Sequence, residues 1–201
     1  MSEQIKSLGR WDDFIKASMS LSALKFTLDE KGDREDKEDT RRSRALAEYL
    51  FSNPHRFVPP FIIDAALLGR NDENLFRRGT EWQLRGKVPD AIELPVLLEL
   101  WTRYTRLLLK RHEKSSVEEK ERQTWLRHDE FRCTHFFREG NGSTARFLLN
   151  HMRVLLGLPI LVLDEHNAGE YHRRLDEYFE NVFIPRLPEL RARAANVRIA
   201  K

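Results

Sequence analysis

Twelve consecutive residues concentrate the side chains that could do chemistry: His135-Phe-Phe137-Arg-Glu139-Gly140-Asn141-Gly142-Ser143-Thr-Ala-Arg146. Gly140 and Gly142 bracket Asn141 immediately ahead of a helical stretch. Glycine reaches positive φ without steric cost, so successive backbone N–H groups can turn into one concavity. The first N–H groups of a helix lie beside it, and together they suit a phosphate. Arg146 falls in the first turns of that helix, from where a guanidinium reaches back to a terminal phosphate or carboxylate. Glu139 on the rim is the kind of lone carboxylate that holds Mg²⁺ together with phosphate oxygens. His135, titrating near neutrality, suits taking the proton of an attacking hydroxyl. A base, a metal ligand, an anion nest and a cationic clamp are the parts of phosphoryl or nucleotidyl transfer.

Each of these residues taken alone has a plainer role. A single histidine is commonly a hydrogen-bonded structural residue, Gly-Asn-Gly a turn, and a single glutamate a solvated charge. Their occurrence together within one short loop carries the functional reading. A second reading takes Gly140-Asn-Gly142-Ser-Thr-Ala145 as the dinucleotide fingerprint G-x-G-x-x-G/A, with Asp164 as the ribose-binding acid. That fingerprint needs a buried strand before its first glycine. The residues before it, Arg127-His-Asp-Glu-Phe-Arg-Cys-Thr-His135, are too polar for one, and no strand–helix alternation follows.

The elements that must position this loop read as helices. Apolar residues at helical spacing predict a helix over 11–28, followed by a charge run over 29–39 that reads as a solvated loop. A short helix fits 44–51, and Pro59-Pro60 marks a turn before Phe61-Ile-Ile63. Residues 75–88 alternate short mixed stretches with Gly79 and Gly86, which predicts a small β-hairpin. Helices follow over 94–112 and 118–132. The site helix starts at Asn141 or Gly142 and runs to Leu156, where Gly157-Leu-Pro159 is a stop signal. Two more helices fit 168–179 and 186–195. The expected fold is mainly α with one small hairpin, divided into a helical extension over 1–60 and a main domain over 61–201.

Composition narrows the functional classes. The 201 residues suffice for one domain that buries about two-thirds of its unfolded surface. Lys and Arg number 35 against 32 Asp and Glu, and the two signs are intermixed, which argues against a basic nucleic-acid face. No apolar run approaches the roughly 18 residues that cross a bilayer, and the N-terminus lacks a signal peptide's apolar stretch. The expected location is therefore the cytoplasm, with a secreted effector left open. The single cysteine, Cys133, excludes an internal disulfide and any multi-cysteine metal site.

The loop resembles the Fic (Fido) motif, H-P-F-x-[D/E]-G-N-G-R-x-x-R, through His135, Phe137, Glu139, Gly140, Asn141, Gly142 and Arg146. Leu126-Arg-His128-Asp-Glu-Phe131 is similar to the family's lead-in helix, and Phe147-Leu-Leu-Asn150 through Pro159 to its following helix and turn. The hairpin over 77–87 is placed like the family's flap. Tyr171 and Leu175 resemble its C-terminal Tyr-x-x-x-Leu pattern. The resemblance spans about residues 70–180.

That resemblance implies a Fic-like helical bundle with a β-hairpin flap. It implies transfer of AMP from ATP-Mg²⁺ to a Ser, Thr or Tyr hydroxyl of a target protein. His135 would be the base, Phe137 the loop anchor and Glu139 the Mg²⁺ ligand. Gly140, Asn141 and Gly142 would hold the α- and β-phosphates, and Arg146 would contact the end of the triphosphate. The target segment would dock on the flap by strand addition. Phe136 stands where the motif has proline, and Ser143 where it has its first arginine. Losing that positive charge leaves three outcomes open: weak AMP transfer, a different diphosphate donor such as UTP, GTP or CDP-choline, or a silent nucleotide- or partner-binding module. Ser143 can still donate a hydrogen bond to phosphate. Many family members carry an inhibitory helix, [S/T]-x-x-x-E-[G/N]; Ser22-Ala-Leu-Lys25-Phe26 resembles its surroundings but supplies no glutamate. Regulation by a separate antitoxin chain and self-association both stay open.

Overall fold

The structure, a computed structural model, describes residues 45, 49, 58–68, 86–138, 140–163 and 166–199. The described residues form six α-helices: α1 (Pro59–Leu68), α2 (Leu94–His112), α3 (Val117–Thr134), α4 (Asn141–Leu155), α5 (Ala168–Tyr178) and α6 (Ile184–Ile199). The sequences expected to form the N-terminal helices, the charged loop and the hairpin lie outside the described residues, apart from Ala45, Tyr49 and the turn at Gly86–Val88. Gly86 takes φ +81°, as a tight turn there requires.

Local chemistry explains where the helices begin. Ahead of α2, the Asp90 N–H donates to Glu93 Oε2 at 2.6 Å, and Pro95 sits in the first turn, where no intrahelical donor is needed. Its stripe of Leu94, Leu97, Leu98, Trp101 and Thr105 is buried. Ser116 caps α3 by accepting the Glu119 N–H at 3.3 Å.

α4 is the centre of the domain. It is buried without interruption from Thr144 to Arg153, and α3 packs along it. α2 covers α3, and α6 closes against α2. The core they share includes Leu98, Trp101, Phe131, Phe136, Phe137, Phe147, Leu148, Met152 and Phe183. Burying such aromatic and aliphatic side chains supplies about 1.5–3 kcal/mol each.

α4 ends as the sequence predicts. Gly157 takes φ +74°, its N–H bonds the Val154 carbonyl at 3.0 Å, and the Leu158 N–H bonds the Arg153 carbonyl at 2.8 Å. This pair of bonds is the Schellman arrangement. The chain beyond is held by buried polar side chains of α4. Asn150 donates to the Leu161 carbonyl at 3.0 Å and accepts its N–H at 2.7 Å, while Arg153 donates to the Pro159 carbonyl at 2.8 Å. Arg153 also pairs with Glu121 on α3.

Two expectations change. Pro59 and Pro60 open a helix rather than mark a turn, because a proline's missing N–H and fixed φ suit a first helical turn. The last two helical segments are joined by a π-helical turn, Phe179–Phe183, so α6 starts before its prolines. No helix among the described residues is long and apolar enough to cross a membrane.

Candidate functional site

The loop between α3 and α4 turns twice through the left-handed region. His135 ends α3 at φ 52°, ψ 53°, and Gly140 precedes α4 at φ 73°. Between them Phe136 and Phe137 are driven into the core at 1% and 0% exposure, both packing on Phe131 with ring centroids 5.1 and 5.9 Å away. These rings pin the loop from below. Asn141 clasps it from the side: its Nδ2 donates to the Phe137 carbonyl at 2.6 Å, and its Oδ1 accepts the Phe137 N–H at 2.9 Å. The ladder of α4 begins with Thr144 N–H to the Gly140 carbonyl at 2.9 Å. The N–H groups of Asn141, Gly142 and Ser143 precede it and have no intrahelical acceptor. The Ser143 hydroxyl donates back to the Gly140 carbonyl at 3.3 Å.

Two guanidinium groups converge on this turn. A Cβ placed on Gly142 would lie 3.3 Å from Arg146 Nη1 and 3.5 Å from Arg132 Nε. Arg132, in the last turn of α3, also donates through Nη1 to His135 Nε2 at 2.9 Å. Guanidinium has no acceptor, so this ring nitrogen is the accepting one.

Arg146 is buried at 7% exposure, which pulls its pKa below the usual arginine range. The Tyr171 hydroxyl, hydrogen-bonded to it, opposes that pull, and neighbouring Arg132 adds to it. Tyr171 on α5 belongs to a buried chain of hydrogen bonds whose direction is fixed at both ends. Arg146 donates to the Tyr171 oxygen. The Tyr171 hydroxyl donates to His128 Nε2 at 3.2 Å, and His128 Nδ1 donates to Asp129 Oδ1 at 2.8 Å. Asp129 Oδ2 accepts from Arg174, whose guanidinium lies 3.8 Å over the Trp125 ring. Full burial lowers the His128 pKa, which its bond to Asp129 only partly offsets, so the imidazole is neutral and its Nε2 can accept. Burial likewise raises the Tyr171 pKa and keeps the phenol protonated.

The helical arrangement that carries this loop recurs in a solved structure. The chain superposes with a TM-score of 0.67 on the crystal structure of a Fic domain-containing signaling protein from Bacteroides thetaiotaomicron VPI-5482. The fold is a Fic fold. The two sequences are 16% identical, and the match covers 97% of this chain and 87% of that one. No protein-family model matches this sequence. No curated protein sequence matches it either.

Within the Fic fold, His135, Phe137, Gly140, Asn141, Gly142, Ser143 and Arg146 lie on one loop and the helix start that follows it. Glu139, the expected Mg²⁺ ligand, lies outside the described residues, as does the expected hairpin over 77–87 apart from Gly86 and Lys87. Among the described residues no three His, Cys, Asp or Glu side chains gather where they could share a metal ion. The charged groups at Gly142 are cations, so Mg²⁺ fits there only as a complex with phosphate oxygens. The Asn141 amide turns out to be committed to Phe137, which leaves its backbone N–H as its means of reaching a ligand.

The sequence reading missed Arg132, His128, Asp129 and Arg174. The signal was present in the polarity of α3. A helix with so many charged residues and no clean apolar stripe, yet central in the fold, has to bury polar groups in pairs.

Proposed function

We propose that this protein is a Fic-like nucleotidyltransferase that moves AMP from ATP-Mg²⁺ to a Ser, Thr or Tyr hydroxyl of a target protein. The observation that carries the reading is the loop itself: an imidazole, a glycine-flanked helix start and a buried arginine brought together on a Fic fold. In the proposed reaction His135 takes the proton of the target hydroxyl, whose oxygen forms a bond to the α-phosphorus. The bond from that phosphorus to the β-phosphate breaks, and pyrophosphate leaves. Backbone N–H groups of Gly140, Asn141 and Gly142 hold the phosphates, and Arg146 receives the far end of the triphosphate. Phe137 anchors the loop. Glu139 is assigned to Mg²⁺, which supplies charge neutralisation on the phosphates. The target segment is assigned to the hairpin over 77–87.

Ser143 favours a second reading. Its hydroxyl is turned onto the Gly140 carbonyl and brings no charge, which suits a weakly active or silent nucleotide- or partner-binding module. Calorimetric titration separates the parts. Arg146→Ala should weaken triphosphate binding more than monophosphate binding, whereas equal weakening counts against the clamp. Ser143→Arg should raise transfer if the missing charge is the limiting defect. The direct test is label transfer from α-labelled ATP with His135→Ala as control.

A further inference from the structure

Arg132 reaches two parts of the loop at once. Its Nη1 occupies the lone pair of His135 Nε2 at 2.9 Å, and the rest of its guanidinium lies against Gly142 beside Arg146. An occupied lone pair cannot take a hydroxyl proton. We propose that Arg132 is a switch arm. It caps His135 in the ligand-free protein, and a diphosphate group bound between Arg132 and Arg146 draws it off the imidazole. The proposal rests on the assignment of His135 as the base and adds a condition to it: the base is released only when the anion is present.

Three observations support the arm. The two guanidinium groups approach the same backbone position, where like charges repel, and Arg146 is more than nine-tenths buried. A multiply charged anion relieves that repulsion and accepts from both forks. Arg146 is held in place by Tyr171, itself tied to His128, while Arg132 is only half-buried at a helix end. Of the pair, Arg132 is the one with freedom to move. Among the described residues no carboxylate pairs with Arg132, so an incoming phosphate has no ion pair to break. An imidazole nitrogen is also a weaker acceptor for guanidinium than a phosphate oxygen, which gives the exchange its direction.

The test uses the full chain and inorganic pyrophosphate as the probe. Binding is measured by calorimetry, and the ¹⁵N signals of the His135 ring are followed through the titration. In the wild type, pyrophosphate should move the Nε2 signal from its capped to its released position. Arg132→Met should bind pyrophosphate about tenfold more weakly, with the Nε2 signal already released before any ligand is added. Arg132→Lys keeps the charge without the fork and should fall between the two, which guards against a misfolded Met variant. Unchanged pyrophosphate affinity in Arg132→Met, or a wild-type Nε2 signal that stays still while pyrophosphate binds, overturns the arm alone. Failure of the wild type to bind pyrophosphate overturns the anion site and the arm with it. Failure of the transfer reading shows separately, as absence of label transfer while pyrophosphate binding and the Nε2 response persist.

Discussion

The side-chain amide of Asn141 closes on both backbone groups of Phe137, donating to its carbonyl at 2.6 Å and accepting from its N–H at 2.9 Å. An amide copies the pairing of a β-ladder here, and only asparagine has both groups at that reach. The clasp turns a six-residue excursion between two helices into a closed ring. The buried Phe137 ring holds that ring to the core. Shape at the loop is therefore set by Asn141 and Phe137, which leaves the backbone of Gly140 and Gly142 free to present itself.

Asn141→Ala should cost about 1–3 kcal/mol, because the buried Phe137 N–H loses its acceptor. Asn141→Asp should be no better, since a carboxylate offers nothing to the Phe137 carbonyl. Urea midpoints of the three proteins check this. A midpoint for Asn141→Ala within error of wild type would contradict the clasp.

Gly140→Ala should cost about 1–2 kcal/mol, because Gly140 sits at φ 73°. The same substitution at Gly169, inside α5, meets no atom within 4 Å and should be neutral or stabilising. Thermal unfolding of the two variants, compared side by side, tests the difference.

Stability should fall as the solution is acidified through the range of His128. Burial holds the folded-state pKa of this imidazole below its ordinary value, and Asp129 offsets this only in part. In the unfolded chain it titrates near about 6.5. Below that pH the unfolded chain binds a proton that the folded chain does not. The contribution is thus complete above about pH 6.5 and is lost as pH falls towards the folded value, at no more than about 1.4 kcal/mol per pH unit. His128→Asn should remove this part of the slope. Urea unfolding of both proteins between about pH 7.5 and 5.5 measures it, and parallel slopes would contradict the assignment.

Cys133 should be inert in the native state. It is 4% exposed, and burial pushes its thiol pKa well above the ordinary cysteine value. An aromatic disulfide reagent should label it only on unfolding. Rapid stoichiometric labelling of the folded protein would contradict the burial.

The helices that read clearly in the sequence are those whose two sides differ. α2 runs Leu94–His112, the range expected from its apolar residues. α4 starts at Asn141, one of its two expected starts, and ends at Leu155, one residue before the expected end, where Gly157 takes the left-handed region. α3 was legible as a helix but not as a site element. Its buried face carries Arg127, His128, Asp129 and Glu130, so no apolar period marks what it packs against. The pairing of His128 with Tyr171 joins residues 43 apart in sequence, and spacing holds no trace of it. Arg132 stood three residues before His135, the right helical offset for contact, but its partner lies just past the helix end.

Label transfer from α-labelled ATP with Mg²⁺ to proteins of a cell lysate, run with wild type and His135→Ala, tests His135 as the base of a nucleotidyl transfer. The wild type should label at least one protein and His135→Ala none, with similar ATP binding by both. Equal labelling by the two proteins would contradict the assignment of His135 as the base. No labelling by the wild type from ATP, nor from other labelled nucleotide donors, would contradict the transferase reading and leave a nucleotide-binding module on a Fic fold.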